Sequence, residues 1–342
     1  MPKFIDWCEK HKYWIALGLV VLPTSGYFSY RIYQQRLKSK SGQFSQLISS
    51  IKSAIYTSNK QMENIVPLQK VTSFKMKNSG QGDLPFEVHL LENLSRKENI
   101  SKDTSSFKKE DPFLPPFEKG IFIKEFDENR LIFNKFPLIK HHVLLISKGF
   151  EEQQTAIPKS MFHEGYLVLR ALNGVSIYNS GPESGYSQPH RHLQFTPPPR
   201  EFGQPMISLI NKEARECVKR EENSFEFSGF EGLKHLVACL EPFDPENQTR
   251  EEYSDYLNER YLFLLESLGN SDTRISYNFI WNDKWMMVVL RSQENAFDRF
   301  GTNAFGFIGS LVVKSSSDLE DLSELEPTQF LRQVCVLKED NI

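Results

Sequence analysis

Apolar and polar positions first alternate regularly at Ile121 to Phe126 and Leu131 to Asn134, on either side of the polar run Asp127 to Arg130, and this predicts a β-hairpin. His142 to Ser147 reads as a third strand. From Pro158 the period lengthens: Met161, Phe162, Tyr166, Leu167, Leu169 and Leu172 fall close to helical spacing, so a helix is predicted through about Leu172. Val175 to Tyr178 returns to strand. A Gly/Pro/Ser loop, Ser180 to Pro189, leads to a short strand, His190 to Thr196, which stops at Pro197, Pro198 and Pro199. The second half carries a strand around Leu233 to Leu240, an amphipathic helix from about Asn247 to Leu268, and strands at Ile275 to Trp281, Trp285 to Arg291 and Phe307 to Val313. No internal repeat is visible. Hairpins separated by single helices, without regular βαβ alternation, predict an α+β domain whose central sheet is mainly antiparallel and flanked by helices.

Upstream the pattern changes character. Residues 46–58 are amphipathic, and the polar, Lys- and Ser-rich stretch from Asn78 to Glu110 includes candidate loops. Tyr13 to Tyr30 is apolar and aromatic, but only Trp14 to Leu22 is strongly hydrophobic, short of the roughly 20 residues a spanning helix wants. No acidic residue occurs from Lys10 through Met62, whereas Arg31, Arg36, Lys38, Lys40, Lys52 and Lys60 do. That bias suits a membrane anchor or a mitochondrial targeting segment, against which Asp6 and Glu9 count, or else an untidy extension arising from the gene model. If the segment spans, the positive excess puts the main domain on the cytoplasmic or matrix side. The expected division is an extension over residues 1–43, with membrane contact through residues 13–30, and a catalytic domain over residues 44–342.

The 342 residues suffice for one large domain, and 13% aromatic content with 27 Phe is globular rather than disordered. A net charge of −3 gives no general field for a nucleic-acid backbone, so no nucleic-acid partner is expected, while a local cluster could still hold a small anion. Cys8, Cys217, Cys239 and Cys335 are scattered, which indicates neither a zinc ribbon nor a disulfide framework.

The candidate chemistry lies between Asn179 and Gln194. On a strand, His190, His192 and Gln194 share one face, so three polar side chains are expected to converge on one pocket. Upstream, Gly181 and Gly185 permit sharp turns that bring backbone N–H groups to an anion, with the Ser184 and Ser187 hydroxyls as further donors. A neutral imidazole near a phosphate-cradling loop can attack an α-phosphorus and form a phosphoramidate, dividing one displacement into two. The middle histidine is the natural attacker. Gln194 cannot act as a base but can donate to a phosphate oxygen, which favours transfer over hydrolysis. An H-x-H pair can also be structural, or chelate zinc, although no Cys or third His is near in sequence.

With that loop and strand in place, the sequence resembles the diadenosine tetraphosphate (Ap4A) phosphorylase, or ATP adenylyltransferase, family of the histidine-triad superfamily. The resemblance runs from about Leu47 to Leu337. It rests on Glu110 to Pro112, Leu131 to Pro137 with His142, Asn179 to Gln194, Ser276 to Asn278 with Trp285 and Val288 to Ser292, and Phe300 to Lys314. It implies a histidine-triad-like fold and reversible phosphorolysis of Ap4A to ADP and ATP through an adenylyl-histidine. Carried over, it makes His192 the nucleophile, Gln194 its phosphate-side partner and His190 a support. Gly185, Tyr186, Ser187 and Gln188 fall on the phosphate loop, with Asn179 on an adjoining contact; Phe133 and Asn134 fall on the nucleoside pocket. Lys97 and Lys314 suit distal phosphates, and Asn303, Ala304, Phe305 and Ser310 lie in the C-terminal substrate block. The partners implied are Ap4A, ATP, ADP and phosphate, with Mg²⁺ or another divalent cation on the polyphosphate, no organic cofactor, no protein-held metal and a cytoplasmic location.

Three places depart from the family pattern. After Asn303, Ala304 and Phe305 stand where small hydroxyl residues are usual, Leu290 stands for a proline and Asp283 for a lysine. A catalytically weakened nucleotide-binding or membrane-tethered regulator, or a transferase or hydrolase acting on another nucleotide, therefore stand as alternatives.

Overall fold

A computed structural model of the chain describes residues 42–58, 71–76, 84–91, 111–135, 137, 139–198, 204–245 and 247–340. Residues 13–30 and Lys97 lie outside them. No helix among the described residues is long and apolar enough to cross a membrane.

Strands are numbered in chain order: β1 (Val71–Lys75), β2 (Glu87–Leu91), β3 (Phe122–Glu125), β4 (Asn129–Phe133), β5 (Val143–Ser147), β6 (Val175–Ser180), β7 (His192–Thr196), β8 (Ser224–Phe225), β9 (His235–Cys239), β10 (Tyr277–Trp281), β11 (Trp285–Leu290), β12 (Asn295–Ala296), β13 (Phe300–Gly301) and β14 (Ser310–Val313). The helices are α1 (42–58), α2 (Lys159–Leu172), α3 (Gln204–Lys219), α4 (Arg250–Ser267), α5 (Ser316–Ser323) and α6 (Pro327–Val334). Nine strands form one sheet in the order β3-β4-β5-β7-β6-β10-β11-β9-β8, and its pairings are antiparallel, the arrangement expected from the hairpin-rich sequence. A smaller sheet, β1-β2-β14, joins β2 to β14 in parallel.

The large sheet is covered on both faces, which is why β10 and β11 read as continuous apolar runs. Phe279, Trp281, Met286, Val288 and Leu290 pack in one core with residues of α1, α2 and α4. The alternate side chains Ile280, Trp285, Met287 and Val289 pack in a second core with α3, α6 and β14. On β7 the same alternation sends Leu193 and Phe195 into the first core, leaving His192 and Gln194 on the opposite face. A capping box starts α4: Thr249 Oγ1 accepts from the Glu252 N–H at 3.2 Å and Glu252 Oε2 from the Thr249 N–H at 2.7 Å. This cap, worth about 1 kcal/mol, sets the start at Arg250 rather than at the expected Asn247.

Several expectations need correction. Between Asn78 and Glu110, where candidate loops and no strand were expected, lies β2, which finds its partner β14 more than 200 residues away. The strand expected over Phe307 to Val313 begins only at Ser310; Ala304–Ile308 is a 3-10 turn ended by Gly309, whose φ of 85° and 2.4 Å approach of a notional Cβ to the Pro85 carbonyl oxygen admit no side chain. Helix α3 follows the triple proline where no element was expected. The strand expected from His190 begins at His192, and His190 forms only an isolated bridge with Glu152.

Candidate active site

Strand β7 pairs with β5 through Ile146↔His192 and with β6 only as far as Ile177↔Gln194, so His192 stands where the sheet opens. Its Nδ1 lies 2.8 Å from the carbonyl oxygen of His190. A carbonyl can only accept, so Nδ1 carries the proton and Nε2 the lone pair. Burial pushes the His192 pKa down to about 4, against a smaller opposing contribution from that hydrogen bond. The ring is therefore neutral at pH 7, the form that can act as a nucleophile.

Gln194 is oriented by a chain of hydrogen bonds that starts just past the end of β4. The Asn134 Nδ2 group donates to His142 Nδ1 at 3.2 Å, which leaves the proton on His142 Nε2, and this donates to Gln194 Oε1 at 2.9 Å. Burial holds His142 neutral as well, its pKa lowered to about 4. With Oε1 engaged, the Gln194 NH₂ group is the end available to a ligand. Phe305 packs edge-on to the His142 ring at 6.0 Å. The bulk that Phe305 adds to the C-terminal block is thus spent on this histidine.

His192 and Gln194 line a cavity of about 750 Å³ together with Phe133, Asn134, Ser187 and Gln188. Ile132, Leu144 and Gln194, neighbours across β4, β5 and β7, also line it. A strap, Asp111 to Glu118, forms another wall. His190 does not line the cavity, so two polar groups of β7 converge there and not three. Its Nδ1 faces Asp111 Oδ2 at 2.6 Å and its Nε2 the Ser147 carbonyl at 3.0 Å, while the Phe113 ring stands edge-on to both histidines. Sequence reasoning assigned no role to Asp111, Phe113 or His142. Asp111 and His142 fall in the blocks that carry the resemblance, whereas Phe113 lies just beyond the first of them and carries no such signal.

The loop after β6 makes a 3-10 turn at Pro182–Ser184 and then passes through Gly185 at φ 76°, where a Cβ would sit 2.4 Å from the Thr302 carbonyl oxygen. Ser187 and Gln188 reach the cavity, whereas Gly185 and Tyr186 do not line it. Ser184 is a correction: its hydroxyl turns inward to the Gly181 carbonyl at 2.6 Å and is fully buried, so it offers a ligand nothing.

Asn179, Asn303, Ala304, Phe305, Ser310 and Lys314 stand outside the cavity lining. Asn179 Oδ1 accepts from Asn278 Nδ2 at 2.8 Å and from the Ala304 N–H at 2.9 Å, so it ties the end of β6 to β10 and the C-terminal block. Asn303 Oδ1 accepts from the Phe305 N–H at 3.0 Å. Ser310 is buried at the start of β14, and Lys314 is exposed just beyond its end. Behind the loop, Arg291 donates to Asn278 Oδ1 at 2.6 Å and to the Thr302 and Ser184 carbonyls. Burial lowers its pKa to about 10, which leaves it a cation at neutral pH.

A neutral imidazole with a defined lone pair, an oriented amide two residues on and a glycine-bent loop lie beside one cavity, an arrangement chemically able to support group transfer. The comparisons with known proteins cover the same stretch of chain. The Ap4A phosphorylase N-terminal domain matches residues 40–212 and the ATP adenylyltransferase C-terminal domain residues 232–337, and the chain belongs to this family. It is 28% identical over 268 residues to diadenosine 5',5'''-P1,P4-tetraphosphate phosphorylase 2 of Saccharomyces cerevisiae, covering 70% of this chain and 79% of that protein. It is also 28% identical over 238 residues to Protein APA1 of the same yeast, covering 63% and 72%. In fold it is similar to yeast Ap4A phosphorylase Apa2 in complex with Ap4A, with a TM-score of 0.66 at 24% identity over 84% of this chain and 98% of that one.

Proposed function

We propose that this protein cleaves Ap4A with phosphate to ADP and ATP, reversibly, with His192 as the adenylylated nucleophile. The observation that carries the reading is the neutral His192, its proton held on Nδ1 by the His190 carbonyl, lining the same cavity as the oriented Gln194 amide. Nε2 attacks an α-phosphorus; the bond from that phosphorus to its bridging oxygen breaks, and ATP leaves. The Nδ1–H···O bond supports the positive charge that develops on the ring, and the Gln194 NH₂ donates to a non-bridging oxygen. A phosphate oxygen then attacks the phosphoramidate, the P–N bond breaks, and ADP leaves with His192 neutral again. Phe133 would pack against the nucleoside, and Ser187 and Gln188 would meet phosphate oxygens. Lys314, beyond the lining, and Lys97, outside the described residues, would serve distal phosphates.

Mg²⁺ or another divalent cation would arrive on the polyphosphate. The cavity's carboxylates do not make a cage for one: Asp111 is engaged by His190 and by the Phe113 N–H, and Glu118 pairs with Lys135. Among the described residues no three His, Cys, Asp or Glu side chains cluster to hold a metal. No step is therefore routed through a protein-held ion. A free-nucleotide substrate suits the cytoplasm, and fractionation of tagged protein with and without residues 1–43 tests whether residues 13–30 tether it elsewhere.

The direct test is intact-mass detection of a single-AMP adduct after brief incubation with Ap4A lacking phosphate, followed by its loss as ADP when phosphate is added. His192→Asn should abolish both while the protein remains folded. Tight Ap4A binding with neither adduct nor phosphorolysis would favour the regulator instead, and turnover of another nucleotide in its place would favour the related transferase.

A further inference from the structure

Continuing the β6–β7 register beyond Ile177↔Gln194 would pair Tyr178 with Leu193 and Asn179 with His192, yet those pairs are not made. Strand β6 stays in register with β10 to Ser180, so it is on the β7 side that the two strands part. A side chain fills the gap. Gln153, on the loop after β5 and 1% exposed, donates from Nε2 to the Asn179 carbonyl at 2.9 Å and to the His192 carbonyl at 3.3 Å. Its Oε1 accepts from the His192 N–H at 2.8 Å. One carboxamide thus stands in for the missing peptide between Asn179 and His192, holding both backbone polar groups of the nucleophile.

The backbone of Gln153 is held as firmly. Its N–H donates to the Pro189 carbonyl at 2.8 Å, and its carbonyl accepts from the Tyr178 hydroxyl at 2.6 Å and the Ser180 hydroxyl at 3.3 Å. The residue therefore joins the end of β6, the end of the phosphate loop and the start of β7. A direct β6–β7 pair would satisfy the same backbone groups, but it would close the sheet where the loop needs room. The amide keeps the strands apart without leaving the buried His192 backbone groups unpaired, which folded proteins rarely tolerate.

We propose that Gln153 is a positioning residue for the nucleophile: its carboxamide wedges β6 and β7 apart and sets the placement of His192 for in-line attack. This rests on the proposed adenylyl transfer for its kinetic consequence but not for its structural one. Gln153→Met keeps length and volume and removes both polar ends; Gln153→Glu keeps the shape and one acceptor but loses the NH₂ that faces two carbonyls. Single-turnover adenylylation should slow about 10²-fold in Gln153→Met, the scale of a misplaced reacting group, with KM for Ap4A within about threefold of wild type. Amide hydrogen exchange gives a readout that needs no turnover: the His192 N–H should lose about tenfold or more of its protection in Gln153→Met, one hydrogen bond's worth, while Leu145 in the neighbouring β5 keeps its own. Unchanged His192 protection, or a wild-type adenylylation rate, in Gln153→Met would overturn the proposal, as would a rise in KM with the rate unaltered. If Gln153→Glu does not fold, the methionine variant decides alone. If wild type forms no adduct, the reaction assignment fails, and the exchange measurement still decides whether Gln153 holds His192.

Discussion

Replacing His192 by asparagine should make the protein less sensitive to acid, because the native ring is kept neutral at a cost the unfolded chain does not bear. An Asn amide nitrogen can occupy the place of Nδ1 and still donate to the His190 carbonyl, so the substitution removes the titration with little else. The folded pKa is about 4 against an ordinary 6.5, so below pH 6.5 the unfolded chain takes up a proton that the folded one refuses. Stability is thus intact above 6.5 and drains away as pH falls towards 4. Linkage between those values gives a loss of roughly 2 kcal/mol on going from pH 7 to pH 5 for this one residue. His142 and His89, each also lowered to about 4 by burial, add losses of the same sign. Urea unfolding of wild type and His192→Asn at pH 7 and pH 5 isolates the contribution, because carboxylates and the other histidines cancel in the double difference. The wild-type decline should exceed the variant's by roughly 2 kcal/mol. Equal declines would mean that the ring is not sheltered, and the argument for a neutral nucleophile would fail with it. The same shelter predicts adenylyl transfer to His192 at a nearly constant rate from pH 8 down to pH 5.

Gly185→Ala forces a side chain into a left-handed conformation and against the Thr302 carbonyl; a stability loss of roughly 1–2 kcal/mol in urea and a raised KM for Ap4A are expected, and an unchanged KM would show that this turn does not shape the phosphate loop. Asp111→Asn removes the charge opposite His190 while keeping the shape, and should lower kcat several-fold and stability by about 1 kcal/mol; wild-type kinetics would show that the strap is held by packing alone. Cys217, Cys239 and Cys335 are buried, and burial raises the Cys239 and Cys335 thiols to about 12, so iodoacetamide at pH 8 should modify none of the three in the native protein and all three in denaturant. Mass mapping of native adducts on any of them would contradict the packing.

The sequence was readable where the signal was local. The continuous apolar runs of β10 and β11, the alternation along β7 and the helical period of α2 come from the burial of one or both faces, and each is legible to within a few residues. Helix α3 carries the same signal, with Met206, Ile207, Ile210, Ala214 and Cys217 buried along one stripe, but the triple proline before it reads as a terminator and masks the periodicity beyond it. Strand β2 alternates too, at Phe86, Val88 and Leu90, yet its parallel partner lies in the last tenth of the chain. The site divides in the same way. His192 and Gln194 were visible as neighbours in one strand, whereas His142 meets Gln194 across 52 residues and Gln153 meets His192 across 39. Such pairs are fixed by which strands lie side by side, and a local pattern does not contain that. Ser184 shows the converse, since a hydroxyl in a glycine-rich loop can spend itself on its own turn.

The substituted block Asn303-Ala304-Phe305 acquires a different meaning from this arrangement. Loss of small hydroxyls would weaken a site that relied on them as ligands, but here the block acts through its backbone and one ring: the Ala304 N–H holds Asn179, and Phe305 covers His142. Both contacts run from the C-terminal family domain into the N-terminal one. So does one bond of Arg291, to the Ser184 carbonyl, while Asn278 and Thr302 meet the same buried charge from within the C-terminal domain. A buried guanidinium is costly unless its donors are satisfied, so these bonds hold the loop and the C-terminal strands in one geometry. The two matched domains therefore build the cavity's surroundings together: the first brings His192 and Gln194, and the second fixes the loop after β6 and covers His142, which orients Gln194.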